Sequence, residues 1–166
     1  TAQGRYRGGV VGARGIAGEL GHFTLYQDGR KCPCGKRGCL EEYASTTALI
    51  ARAERQTGRT GWNGRMIFEG AAQGDPLLRL ALDGWLDDVA AGVTGLVHIF
   101  NPELVLIGGG VSAQEELLLN PLRARVLAGV MPRFAEGLHI ERAMLGNNAG
   151  MIGAAKYFMD REAERT

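Results

Sequence analysis

From Leu77 to Phe100 the apolar residues Leu78, Leu82, Trp85, Leu86, Val89, Val93, Leu96, Val97 and Phe100 recur at three- and four-residue spacing. That period predicts one long amphipathic helix. Asp75-Pro76 supplies a cap and an N1 proline at its start, and Asn101-Pro102 stops it. The pattern then changes. Leu104-Val105-Leu106-Ile107 is an unbroken apolar run, which reads as a buried parallel strand. Gly108-Gly109-Gly110 follows, then a helix from about Gln114 to Leu127, an alternating stretch from Leu138 to Leu145, and a last helix from Met151 to about Arg161. Upstream, helices are predicted near Glu41–Ala44, over Ala48–Arg55 behind a Ser45-Thr46-Thr47 cap, and over Met66–Ala72. Gly58 ends the second of these. The first thirty or so residues are punctuated by glycine, with short β-favouring pieces at Gly9-Val10-Val11 and His22–Tyr26 and a turn at Gln27–Arg30. Strand, glycine turn, helix, strand, helix is an α/β pattern with a parallel sheet.

The chemistry is concentrated in one short stretch. All three cysteines of the chain, Cys32, Cys34 and Cys39, lie within eighteen residues that also hold His22. A Cys3His set suits a tetrahedral zinc ion closed by protein ligands, with no open position for a catalytic water. The plainer reading is three free thiols that happen to be neighbours. Glu19 lies three residues before His22 and Glu41 two after Cys39, so two carboxylates frame the cluster. Carboxylates make strong charge-assisted hydrogen bonds to hydroxyls, as a polyol ligand would need. Glu41 alternatively serves only as a charge at a helix start. The Gly108–Gly110 turn after a strand lets a flat group lie against the backbone, or simply packs tightly. It is neither a Walker loop nor a dinucleotide fingerprint. His98, on or near the apolar face of the long helix, reads as a satisfied core histidine, and His139 as part of an edge-like strand. Trp62 reads as a loop residue and Trp85 as core.

Bulk composition narrows the class. The 166 residues suffice for one domain with a real core, and a 45% hydrophobic, 22% charged composition is ordinary for a globular chain. A net charge of +1 gives no sign of a nucleic-acid surface or a polybasic membrane patch. No apolar run approaches the roughly 18 residues of a membrane span. Clustered thiols suit a reducing cytoplasm better than a disulfide framework. The 26 glycines are grouped at turns and are not spread as low complexity. The opening Thr1–Gly9 reads like the tail of a hairpin, so we expect a single domain that is part of a longer protein.

Two elements, Gly18-Glu19-Leu20-Gly21-His22 and Cys32-Pro33-Cys34-Gly35-Lys36-Arg37-Gly38-Cys39-Leu40-Glu41, resemble hallmarks of the ROK family of repressors, open reading frames and kinases. Asn101-Pro102-Glu103, Leu106–Gly110 and Ala149–Ala155 extend the resemblance along nearly the whole chain. It implies an actin-like, ribonuclease H-like ATPase lobe, with a mixed sheet flanked by helices and a zinc-binding loop. It implies that His22, Cys32, Cys34 and Cys39 hold a structural zinc, that Glu19, His22 and Glu41 contact sugar hydroxyls, and that Gly108, Gly109 and Gly110 receive the adenosine part of ATP, with magnesium. It also implies self-association, through the long and last helices. The family's D-x-G-x-T phosphate loop and general-base aspartate have no counterpart in these residues. The expectation is therefore the C-terminal lobe of a cytoplasmic ATP-dependent sugar kinase, of the glucokinase or N-acyl hexosamine kinase type, inactive alone. The alternative within the family is the effector-binding domain of a sugar-responsive repressor.

Overall fold

The computed structural model describes residues 12–109, 114–145 and 149–163. A short 3-10 turn, Leu20–His22, precedes the cysteine-bearing loop; α1 (Glu41–Ala44), α2 (Thr46–Thr57), α3 (Gly64–Ala72) and α4 (Pro76–Phe100) follow. Then come β1 (Leu104–Ile107), α5 (Asn120–Gly129), α6 (Pro132–Ala135), β2 (His139–Arg142) and α7 (Ala149–Ala163).

The helix boundaries follow local chemistry. The Ser45 hydroxyl accepts from the Ala48 N–H at 3.1 Å and opens α2, and Gly58 closes it with φ +66°. Asn63 caps α3 through Met66 N–H at 3.0 Å. The Asp75 carboxylate takes both Leu77 N–H (2.9 Å) and Leu78 N–H (3.1 Å) ahead of Pro76. Each cap satisfies N–H groups that have no partner inside the helix. Asn101 ends α4 in the left-handed region, φ +43°.

α4 is the spine. Its residues Leu78, Leu82, Trp85, Leu86 and Val97 join Leu49, Ile67, Phe68, Leu122 and Val126 in one apolar core. Trp85 meets Phe68 edge to face at 6.5 Å and donates its Nε1–H to the Ser45 carbonyl at 3.0 Å, so its polar tip is satisfied. Trp62 lies in the loop, as expected, with its Nε1–H on the Thr57 hydroxyl at 3.0 Å. β1 and β2 pair in parallel, Leu104 opposite His139 through Ile107 opposite Arg142. Among the described residues this pair is the whole sheet.

Several expectations are corrected. β1 is parallel but not buried: Val105 and Ile107 pack on the core, while Leu104 (49% exposed) and Leu106 (58%) face away from it. An unbroken apolar run signals cover on both faces, and the described residues cover only one. The helix expected from Gln114 starts instead as a π turn, Glu115–Leu119, and becomes regular at Asn120. Pro121 lacks the N–H an α turn requires there, and the wider turn absorbs the mismatch. His22–Tyr26 forms no strand; beyond the 3-10 turn it makes a single antiparallel bridge, Thr24 to Cys39. His98 is exposed and not in the core, yet it is satisfied: Nε2 accepts Met131 N–H at 3.1 Å and its ring meets Phe134 at 5.0 Å. The Gly9-Val10-Val11 piece lies outside the described residues.

Candidate functional site

The loop from His22 to Leu40 folds back on itself through backbone bonds. Leu25 N–H and Tyr26 N–H both reach the Gly38 carbonyl, at 2.7 and 3.2 Å; Gly38 N–H returns to the Arg30 carbonyl at 2.8 Å, and Leu40 N–H to Phe23 at 3.0 Å. Gly38 has φ +76° and lies buried against Tyr26; a Cβ there would collide with the Tyr26 carbonyl. A glycine is therefore required at that crossing. Cys32 N–H bonds the Lys36 carbonyl at 2.9 Å, and a further bridge joins Lys31 to Arg37.

This fold brings together the four residues expected to bind metal. The ligand atoms of His22, Cys32, Cys34 and Cys39 all lie within 4.8 Å of one another. The Cys34 and Cys39 sulfurs are 3.6 Å apart, and the Cys32 sulfur lies 3.6 Å from His22 Nδ1. A tetrahedron with bonds of about 2.3 Å has edges of about 3.7 Å, so the donor set and spacing fit zinc. Cys32 and Cys39 are buried, whereas Cys34 is exposed. The metal-free thiols differ in acidity. The Lys36 N–H, then the Cys32 thiol, hold Cys34 below the usual thiol value. At Cys32 the Cys34 N–H pulls down, but burial and the neighbouring Cys34 and Cys39 thiols prevail, pushing it up to about 12. Cys34 is thus the first of this pair to offer a thiolate.

Glu41 opens α1 immediately beyond Cys39 and Leu40. Its Oε2 lies 3.8 Å from His22 Nδ1, with Gly21 alongside. Glu19 heads the 3-10 turn that delivers His22, whose N–H bonds the Glu19 carbonyl at 3.1 Å. Both carboxylates are exposed. Beside Glu41 is a cavity of about 280 Å³, with Arg30, Thr47 and Arg55 among its lining residues. A larger cavity, about 660 Å³, lies elsewhere, at the amino ends of β1 and β2 by Glu103, Arg133 and His139. It holds none of the expected site residues. Gly108 and Gly109 stand at the carboxyl end of β1, Gly109 with φ +98°; Gly110 lies outside the described residues.

One feature was not anticipated. Asp88 of α4 is the charged side chain buried among the described residues, at 3% exposure. It accepts from the Tyr26 hydroxyl at 2.6 Å and pairs with Arg52 of α2. Tyr26 packs on Tyr43 of α1 with ring centres 4.6 Å apart. The Tyr43 oxygen accepts Arg30 N–H at 2.7 Å while the Arg30 guanidinium lies 4.4 Å over its ring. The sequence does carry a signal for this: Gly84, Asp88 and Gly92 stand at i, i+4 and i+8 of an otherwise apolar helix. A Cβ at Gly84 would strike the Arg52 guanidinium, and one at Gly92 would lie 2.6 Å from Leu40 Cδ1. A polar residue flanked by two glycines on a core face marks a place where other elements approach closely.

With this geometry, the class is an α/β protein carrying a metal-competent Cys3His loop beside two exposed carboxylates. Residues 8–161 match the ROK family, and the chain belongs to it. It is 36% identical to a glucokinase of Thermotoga maritima, over 92% of this chain and 52% of that protein. It is 29% identical to a xylose repressor of Bacillus spizizenii, over 90% of this chain and 39% of that protein. Among solved structures, a ROK family glucokinase from Streptomyces griseus in complex with glucose and AMPPNP superposes with a TM-score of 0.75. That match has 33% identity and covers 86% of this chain and 51% of that one. The chain thus spans about half the length of the glucokinases it matches. The actin-like ATPase fold follows from these neighbours. Among the described residues no helix is long and apolar enough to cross a membrane.

Proposed function

We propose that this chain is the C-terminal, sugar- and nucleotide-binding lobe of an ATP-dependent sugar kinase, of the glucokinase or N-acyl hexosamine kinase type, and that it transfers no phosphoryl group alone. The observation that carries the reading is the placement of Glu41 beside His22, next to a loop whose four donors fit a closed zinc site. His22, Cys32, Cys34 and Cys39 would hold the zinc. Bound there, the ion acts structurally, because a site with four protein ligands leaves no position for a reactive water. Glu19 and Glu41 accept hydrogen bonds from sugar hydroxyls, and His22 adds its second ring nitrogen while the first serves the metal. Gly108 to Gly110 seat the adenosine of ATP, since ligands of open α/β sheets bind beyond the carboxyl ends of strands. Phosphoryl transfer also needs phosphate-holding groups, magnesium and a base for the attacking hydroxyl. None of these roles is assigned to a residue here.

The test is hexose-dependent ADP release by the full-length protein. Glu19→Ala or Glu41→Ala is expected to lower kcat/KM for the sugar by about 10- to 100-fold, the cost of a charged hydrogen bond. Zinc content should stay at one per chain. Unaltered sugar kinetics in both variants would end this reading. The similarity to xylose repressors supports a second one, an effector-binding domain. In that case the full-length protein binds a sugar, releases no ADP and binds DNA.

A further inference from the structure

We propose that Tyr26, Asp88 and Arg52 form a positioning device that sets the metal loop against α1, and so holds Glu41 and His22 at the spacing a sugar requires. The proposal rests on the sugar-binding reading of those two residues.

Three parts of the chain converge on one buried carboxylate. Tyr26 of the loop donates to Asp88 Oδ1, Arg52 of α2 pairs with Oδ2, and Asp88 itself stands in the middle of α4. Gly84 and Gly92, one turn to either side, admit the Arg52 guanidinium and Leu40. Leu40 directly precedes Glu41, so the face of α4 that receives Tyr26 also seats the residue leading into the carboxylate. Tyr26 then packs on Tyr43, two residues beyond Glu41. The loop is thereby fixed on both sides of Glu41.

A need for stability alone does not account for this arrangement. Apolar residues of similar volume commonly do as well as a buried ion pair, whereas directional bonds specify one geometry. Backbone bonds shape the loop itself and Arg30 ties it to Tyr43 and Glu42 of α1, while the Tyr26 hydroxyl is the loop group that hydrogen-bonds Asp88 of α4. The loop's ladder is reduced to two isolated bridges, and the apolar core contains none of its residues. Asp88 has its two oxygens divided between the loop and α2, so it reports the position of one to the other.

The Tyr26 hydroxyl is the part that can be removed without disturbing the ring. In the full-length protein, Tyr26→Phe is expected to raise the sugar KM about tenfold, as loss of a hydrogen bond to a charged group would. The nucleotide KM should stay within about twofold and zinc at one per chain. Asp88→Asn should move the sugar KM the same way, and the double variant should do little more than the worse single one, because both cut one link. Arg52→Lys, which keeps the charge and loses the planar fork, should fall between. An unchanged sugar KM in Tyr26→Phe overturns the proposal, as does a lowered melting temperature with the KM intact. If Glu41→Ala abolishes turnover while Tyr26→Phe does nothing, the sugar site stands and the positioning device falls. If the wild type phosphorylates no sugar, the kinase reading fails, and the device is then judged by zinc transfer to a chromogenic chelator. Tyr26→Phe should speed that transfer several-fold, and equal rates overturn the proposal.

Discussion

Tyr26 gives the site a pH response that can be read without any substrate. Its hydrogen bond to Asp88, with burial and the Asp88 charge adding to it, pushes the phenol up from 10.0 to about 12. The folded protein therefore holds this proton more tightly than the unfolded chain. That contribution to stability is complete below pH 10 and disappears as the pH rises through about 12. The urea midpoint of the wild type should fall more steeply between these limits than that of Tyr26→Phe; parallel curves would remove the phenol from the account. Gly38 is decisive in another way. Its left-handed backbone and the Tyr26 carbonyl against it exclude any side chain, so Gly38→Ala should loosen the loop and lower metal retention while leaving the helical core intact. Zinc content per chain, set beside the far-ultraviolet helical signal, checks both halves of that statement. The cysteine cluster was legible because its four residues lie within eighteen positions of the sequence. At Asp88 the flanking glycines mark a close approach, but its partners Arg52 and Tyr26 were not legible, because they come from 36 and 62 residues away.

At the level of elements, local signals did best where the chain satisfies itself. Ser45, Asn63 and Asp75 cap the helices they precede, each through a bond spanning two or three residues. Asp75→Ala should cost about 1 kcal/mol in urea unfolding, because it strips two N–H partners from the first turn of α4. A loss below about 0.3 kcal/mol would mean that packing alone sets the start of that helix. Elsewhere local signals mislead. The His22–Tyr26 piece has β-favouring residues but, among the described residues, pairs only through the single bridge from Thr24 to Cys39. Pro121 interrupts a helical pattern that reads as continuous from hydrophobic spacing alone, and the π turn before it is the outcome.

Over the whole molecule, two regions behave differently. The apolar core runs through α2, α3, α4, α5 and the sheet and draws nothing from the metal loop. Chelation should therefore lower the melting temperature, by about 3 °C for each 1 kcal/mol the ion contributes to a chain of this length, while most helical signal persists. No shift on chelation would remove zinc from the account. The outer face of β1 and residues such as Met151, Phe158 and Met159 of α7 leave apolar surface uncovered among the described residues. Both lie in a chain half as long as its glucokinase relatives. By itself the sequence determined what depends on neighbours along the chain: the helix caps, the long helix, the parallel order of strands and the clustering of His22 with the three cysteines. The tertiary structure alone decided which face of β1 is buried and that His98 lies outside the core. It also brought Asp88 to the loop. Burial and pairing across tens of residues are set by which surfaces meet, and no local period records that.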